Sequence, residues 1–405
     1  MSDESGRGGS SPSPVNMFSP EFAAEPQPIY RELVSKCPVA HDAFSGNPII
    51  SRYEDVQWAL RHPEIFSSEM EIQMNLGTVR PMIPQQIDPP LQTKFRKILD
   101  PHFSRKRMET IAPDVRRHAH QLIDAFVDDG EVEFNRAFAI PLPCTAFLRL
   151  MGLPLDRLEE FLEIKDGIIR PGTPDPEEAG KIRTISGQRI YRIFEEEVAR
   201  RRVEPGDDLV SHLVKSELDG RPVTEEEVLD ISFLMILAGL DTVTATIGCS
   251  VAYLARNPEK RDALVKDPSK VPVAVEELLR WETPVTGVPR LVKQDVTLGG
   301  VEIKEGQMVT LLLGACDLDD AEFGNGDEVD LERERNRHLA FGGGNHRCLG
   351  SHLARMELRV ALEVLHERIP DYRIEPGERP SYSPAIREVK HLPLVWGAAA
   401  ATGSA

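Results

Sequence analysis

The chain has 405 residues, enough for two or three average domains or for one large domain with a substantial core. Its 48 basic and 66 acidic residues give a formal net charge of −18, which argues against a generally cationic surface for nucleic acid or anionic membrane. Five cysteines, at 37, 144, 249, 316 and 348, lack paired short spacings, so neither a disulfide framework nor a zinc knuckle is indicated and a reducing cytoplasm fits.

In chain order, residues 1–16 are rich in Ser, Gly and Pro without an apolar stretch for a secretory signal, and they read as a disordered tail. Residues 398–405 read the same way, leaving 17–397 as a single domain. Apolar residues recur at helical spacing over 54–61, 90–102, 112–127, 155–169, 177–202, 225–256, 258–265, 272–281 and 349–369. Strand patterns are fewer: 48–53, 296–303 folding about Gly299-Gly300, 308–313 and 392–396. The expectation is a mainly helical fold with a small antiparallel sheet at one edge. Long apolar loops over 69–86 and 170–180 have the character of lids or pocket walls.

The helix from 225 is signposted by a Thr224/Glu227 capping box and can run to Arg256, where Asn257-Pro258 stops it. Some 32 residues at ~1.5 Å each span roughly 48 Å, so so apolar a helix must pass through the core. Its longest apolar run, 231–240, is broken by Asp241 before it could cross a bilayer. Asp241 and Thr242 follow Gly239, itself worth ~1 kcal/mol against a helix interior. Thr242 either bonds back to the carbonyl four residues earlier or serves a polar site.

Near the C-terminus the chain reads FGGGNHRCLGSHLAR, from Phe341 to Arg355. Gly342, Gly343 and Gly344 allow a tight turn or close approach to a flat ligand. Cys348 then falls at a helix N-terminus beside His346 and Arg347, all of which favour thiolate. That makes the sulfur a nucleophile or a metal ligand, with an inert buried thiol as the ordinary alternative. A dinucleotide fingerprint fails because Arg347 stands three residues after Gly344, and the Gly-Lys-Ser/Thr of a phosphate loop is missing.

FGGGNHRCLG resembles the haem-binding signature of the cytochrome P450 family, F-x-x-G-x-[HR]-x-C-x-G, with Phe341, Gly344, His346, Cys348 and Gly350 in place. Glu277-Leu-Leu-Arg280 resembles the family's E-x-x-R, and AGLDTV, from Ala238 to Val243, its oxygen-activation segment. The resemblance implies a cytochrome P450 fold for 17–397, in which the long central helix and the helix after Cys348 sandwich haem b (iron protoporphyrin IX). It further implies Cys348 as axial thiolate and Gln92, Arg96, Arg290 and His346 as propionate donors. Thr242 would hold a hydrogen-bonded water and Asp241 would relay protons. Arg333 would complete a structural triad with Glu277 and Arg280. Two departures stand out: Gln92 where His is frequent, and Asp317-Leu318 where many members carry Asn-Arg.

The function implied is a cytoplasmic, monomeric monooxygenase. It would insert one oxygen atom from dioxygen into an apolar small molecule such as a terpenoid, fatty acid or steroid, by hydroxylation or epoxidation. Electrons would come from NAD(P)H through a reductase and a ferredoxin. Lys94, Lys97, Arg105, Lys106, Arg107, Arg347, Arg355 and Arg359 would form the proximal docking face for that acidic ferredoxin. Pocket walls are expected from 69–86, 155–181, 236–242, 284–288 and 385–386. The alternatives are a peroxide-driven peroxygenase and a non-catalytic haem sensor or carrier; without the resemblance, a cysteine hydrolase ranks next.

Overall fold

The structure, a computed structural model, describes residues 14–70, 76–383 and 386–397. The expected tails at 1–13 and 398–405 lie outside the described residues, but residues 14–16 belong to the fold. Val15 donates its N–H to the His41 carbonyl (2.8 Å) and accepts from Ala43 (2.9 Å), so the folded unit begins earlier than position 17.

Amphipathic helices make up most of the chain, and three of them frame its interior. Arg105–Asp124 and Thr242–Arg256 both pack along Ser351–Arg368, the helix that follows Cys348. Ser104 caps the first of these by accepting from Arg107 N–H, so that helix starts seven residues before the periodicity places it. Leu158–Ile169 and Pro176–Val203 lie against each other as two arms flanking residues 170–175; the expected 170–180 loop is shorter because Asp175 caps the second helix and 176–180 are already helical.

The expected 225–256 helix is in fact two, Glu225–Gly239 and Thr242–Arg256, separated at Leu240 and Asp241. The capping box at Thr224 is present in both halves. At the break the freed carbonyls find other donors. Thr242 Oγ1 donates to Ala238 O (3.3 Å), the Cys144 thiol to Leu240 O (3.4 Å) and Thr246 Oγ1 to Thr242 O (2.7 Å). Gly239 answers to packing: a Cβ there would lie 2.4 Å from the Phe147 ring. By length and composition Glu225–Arg256 could cross a bilayer, yet most of its apolar stretch is buried by other parts of the protein.

The main sheet has five strands in the order Val39–His41, Pro48–Ile50, Met308–Leu311, Val288–Val292, Phe66–Ser67. It is mixed rather than antiparallel, because Pro48–Ile50 and Met308–Leu311 run parallel. The Gly299-Gly300 hairpin forms as expected, both glycines having positive φ, as a two-residue turn of this kind requires. Val288–Val292 is missing from the sequence expectation because Pro289 disguises it; the strand pairs antiparallel with Met308–Leu311 nonetheless. The expected 392–396 strand appears as Pro393–Val395 between Arg373–Ile374 and Glu131–Glu133.

Candidate functional site: a thiol loop, an anion cradle and a broken helix

Cys348 is the exposed cysteine; the other four are buried. It closes a loop by donating its N–H to the Phe341 carbonyl (2.8 Å), while Gly342 donates to Leu339 O (2.7 Å). Gly344, at φ +60°, sits so close to the Tyr53–Arg61 helix that a Cβ would fall 2.0 Å from the Leu60 carbonyl oxygen. The glycine there serves a backbone-to-backbone contact inside the protein, whereas the sequence allowed approach to a flat ligand. Arg355 covers the Phe341 ring from 4.4 Å, fixing the start of the loop.

The sulfur lies three residues before Ser351–Arg368 rather than within its first turn. Burial raises the Cys348 thiol above its ordinary value, against the pull of the Gly350 N–H, Arg96, Arg347 and Arg355. An exposed surface combined with crowding neighbours marks a sulfur at the floor of a recess. The helix end and nearby arginines therefore do not by themselves produce the expected thiolate; a cation bound at sulfur would. His346 adds no charge, because burial first, and Arg290 and Arg96 as well, push it down to about 4.

Around that loop lie four donor side chains, two of which, Arg290 and His346, have no carboxylate hydrogen-bonded to them among the described residues. Arg290 is buried on Val288–Val292, where its guanidinium donates to its neighbour Pro289's carbonyl (2.7 Å), and burial lowers it to about 10 despite Asp88. His346 Nε2 is buried without a partner. Arg96 donates to Asp100 (2.9 Å) and to the Arg347 carbonyl (2.6 Å). Gln92, fully buried, donates to Asn345 O (2.6 Å), which ties the Leu91–Leu99 helix to the thiol loop. Buried donors of this kind call for acceptors. A dicarboxylate macrocycle with a thiophilic metal, which haem is, satisfies both the cradle and the sulfur.

At the helix break Asp241 is 1% exposed and held by two cations: Lys165 Nζ at 3.0 Å, and Arg170 at 2.8 and 3.2 Å. Those cations serve other carboxylates too. Lys165 reaches Asp166 (2.7 Å), and Arg170 reaches Asp166 (3.0 Å) and Glu388 (2.5 Å). Three acids thus share two bases, and burial raises the Glu388 carboxyl against the pull of Arg170. Ala238, one turn before Thr242, is exposed although residues 228–236 are buried, so the helix is open to solvent where it breaks.

The structural triad assembles fully. Glu277 accepts from Arg280 (2.8 and 2.7 Å), Arg333 (3.0 Å), Asn336 Nδ2 (2.9 Å) and the Asp330 N–H (2.8 Å). Arg280 continues to the carbonyls of Asp317, Gly326 and Glu328, and the Phe323 ring lies beside both arginines. Two residues escaped sequence reasoning. Glu276, next in line, grips Arg355 (2.7 Å twice) and His338 (3.1 Å), and although burial opposes it these partners hold its carboxyl at about 2. Asp317, flagged only as a departure, accepts from Leu339 N–H (2.5 Å) and Thr283 Oγ1 (3.0 Å).

Of the basic cluster, Arg355 turns inward to Glu276, and Lys94, Arg105, Arg107 and Arg359 have local acidic partners. Lys97, Lys106 and Arg347 remain exposed. Of the pocket walls, 71–75 and Ala385 lie outside the described residues. The rest of the 69–86 loop docks on Pro176–Val203 through Gly77 and Gly187, where a Cβ on either would fall 2.1 Å from the other segment's backbone. Arg80 clasps it to Asp230 (2.7 Å), whose other oxygen takes the Tyr191 hydroxyl (3.1 Å).

Known proteins resemble this chain over most of its length. The family model described as Cytochrome P450 matches residues 173–369. "Probable cytochrome P450 127A1" of Sinorhizobium fredii is 34% identical over 354 residues, covering 87% of this chain and 84% of that protein. "Steroid C26-monooxygenase" of Mycolicibacterium smegmatis is 33% identical over 347 residues, 85% of this chain and 86% of that one. The crystal structure of CYP109E1 from Bacillus megaterium in complex with testosterone superposes with a TM-score of 0.87 at 27% identity, covering 94% of this chain and all of that one.

Proposed function

The chain belongs to the cytochrome P450 family and is a monooxygenase of it, and from that premise we propose that Cys348 ligates the iron of haem b while Arg96, Arg290, His346 and Gln92 cradle its propionates. The observation that carries this is the buried, unpartnered His346 Nε2 beside an Arg290 guanidinium that has no carboxylate of its own. Bound there, haem supplies the redox chemistry that splits dioxygen, one atom entering the substrate and the other leaving as water.

The protein's own residues manage protons, position and solvent. Asp241 is the buried acid at the helix break, and its cations Lys165 and Arg170 have other carboxylates to turn to when it takes up a proton. Thr242 Oγ1, held to Ala238 O at 3.3 Å, is weakly engaged and accepts a proton-carrying water at the open helix break. A peroxide-driven enzyme has no need of such a relay, so the Asp241–Thr242 pair favours dioxygen as the oxidant over peroxide. Turnover separates the enzyme from a sensor or carrier.

The substrate is an apolar small molecule, a terpenoid, fatty acyl chain or steroid: one relative is named a steroid C26-monooxygenase, and solved relatives hold testosterone or myristic acid. Electrons come from NAD(P)H through a reductase and a ferredoxin docking on Lys97, Lys106 and Arg347, which are exposed in a chain of net charge −18. The enzyme works as a cytoplasmic monomer whose catalytic unit is the expected 17–397 domain extended at its start by residues 14–16. Purified protein is expected to show a Soret shift with steroids and steroid-dependent dioxygen uptake with ferredoxin, reductase and NADPH. Turnover supported equally well by peroxide alone would sink the dioxygen assignment.

A further inference from the structure

The Asp317 departure has a place in the fold that no role above uses. Its side chain is fully buried where three segments meet. Oδ1 accepts from the Leu339 N–H (2.5 Å) and Oδ2 from Thr283 Oγ1 (3.0 Å), while its backbone carbonyl accepts from Arg280 (2.8 Å). Leu339 in turn accepts from Gly342, and Phe341 from Cys348 (2.8 Å). One carboxyl therefore links the end of the Glu277–Arg280 helix to the start of the thiol loop. Thr283 sits at φ +22°, a conformation a β-branched residue adopts only when its surroundings hold it there.

Thr283 has one hydroxyl proton and three acceptors within reach: Asp317 Oδ2, Arg280 O (2.9 Å) and Leu279 O (3.3 Å). A charged Asp317 can only accept, so it takes that proton and leaves the helix-end carbonyls without it. A neutral Asp317 donates through its own O–H, freeing the Thr283 proton for Arg280 O while still accepting from Leu339. An amide has the same donor and acceptor pattern. We propose that Asp317 is a proton-binding positioning residue, which in its neutral form pins Thr283 to Leu339 as an asparagine would and in its charged form draws the Thr283 proton off the Arg280 carbonyl, weakening the join between that helix end and the segment that leads to Cys348.

The titratable and charged groups that interact with it are His338, Arg280, Tyr30, Tyr53 and Cys316. Burial pushes the Asp317 carboxyl up from 3.8 to about 6, against the pull of His338, the Leu339 N–H, Thr283 and Arg280. Because the folded value lies above the unfolded one, the stability tied to the neutral form is complete below the ordinary carboxylate range and is lost as pH rises through about 6.

The test compares purified wild-type, Asp317→Asn and Asp317→Ala holoproteins between pH 5 and 8. Asp317→Asn is expected to melt roughly 2–4 °C above wild type at pH 8, a gap that narrows as pH falls through about 6 to 5. Asp317→Ala, which holds neither partner, melts lower at every pH. A gap that ignores pH, an asparagine variant weaker at pH 8, or an unaffected alanine variant would overturn the proposal. Should the variants fail to fold, ¹³C-aspartate spectra of the wild type decide: one carboxyl titrating near 6 supports it, and all titrating below 5 refute it. Haem transfer to an apo-globin at pH 8 should also slow in Asp317→Asn. That arm rests on Cys348 as ligand, and its failure beside an intact melting result indicts the ligand assignment instead.

Discussion

Two buried carboxylates, Glu277 and Asp241, are each held by two cations, and the difference between their surroundings separates structure from function. Glu277 collects five N–H donors, and its arginines spend their remaining donors on backbone carbonyls, so the circuit is closed. Asp241 shares Lys165 and Arg170 with Asp166 and Glu388, and Arg170 is partly exposed. A closed network loses a whole charge balance when one member is removed. A shared one re-pairs, which is what a group that must change protonation during turnover needs.

The comparison breaks hardest at Glu277. Glu277→Ala strands Arg280 and Arg333 and is expected to cost roughly 3–5 kcal/mol, yielding protein without haem; normal haem absorbance in that variant would refute the closed circuit. At the open circuit, Asp241→Asn should keep its haem and melting temperature close to wild type while turnover falls on the order of 10²-fold. Loss of haem there would mean that the two networks do not differ in kind. Thr242→Ala should go on consuming NAD(P)H while product falls and hydrogen peroxide accumulates; product matching NAD(P)H consumed would remove Thr242 from the relay. The smallest effect falls on Glu388→Gln, because Arg170 keeps Asp241 and Asp166. A change within about 1 kcal/mol is expected. Burial raises the Glu388 carboxyl, so its charge weakens the fold as pH rises through the folded value, and the variant should gain relative to wild type with rising pH.

How much of this was legible in the sequence follows from the range of each interaction. Cys348, Glu277 with Arg280, and Asp241 with Thr242 are local spacings; the structure pairs Glu277 with Arg280 and sets Asp241 and Thr242 at a helix break, while Cys348 falls three residues short of its helix. Arg333 was found because a resemblance named its segment, although 56 residues separate it from Glu277. Lys165 and Arg170 were invisible as partners of Asp241, since they lie 76 and 71 residues away on a different helix and its end. The helix break was readable as an oddity at Gly239, but the reason for glycine there required the Phe147 ring. Asp317 announced itself only as an exception; a side chain whose two partners lie 34 and 22 residues away carries no periodic signature.

The contact between Gly344 and the Leu60 carbonyl joins positions 284 residues apart. The Cys348 loop therefore cannot settle against its own half of the chain; it waits for the Tyr53–Arg61 helix, made early in synthesis, to be in place beneath it. Pairings so distant along the chain are slow to form, because their loop-closure entropy falls due before any contact compensates it. On the proposed reading, the sulfur side of the cofactor site is complete only once both ends of the molecule have met. A nascent chain halted before Gly344 would hold Arg96 and Arg290 without Cys348, the proposed ligand.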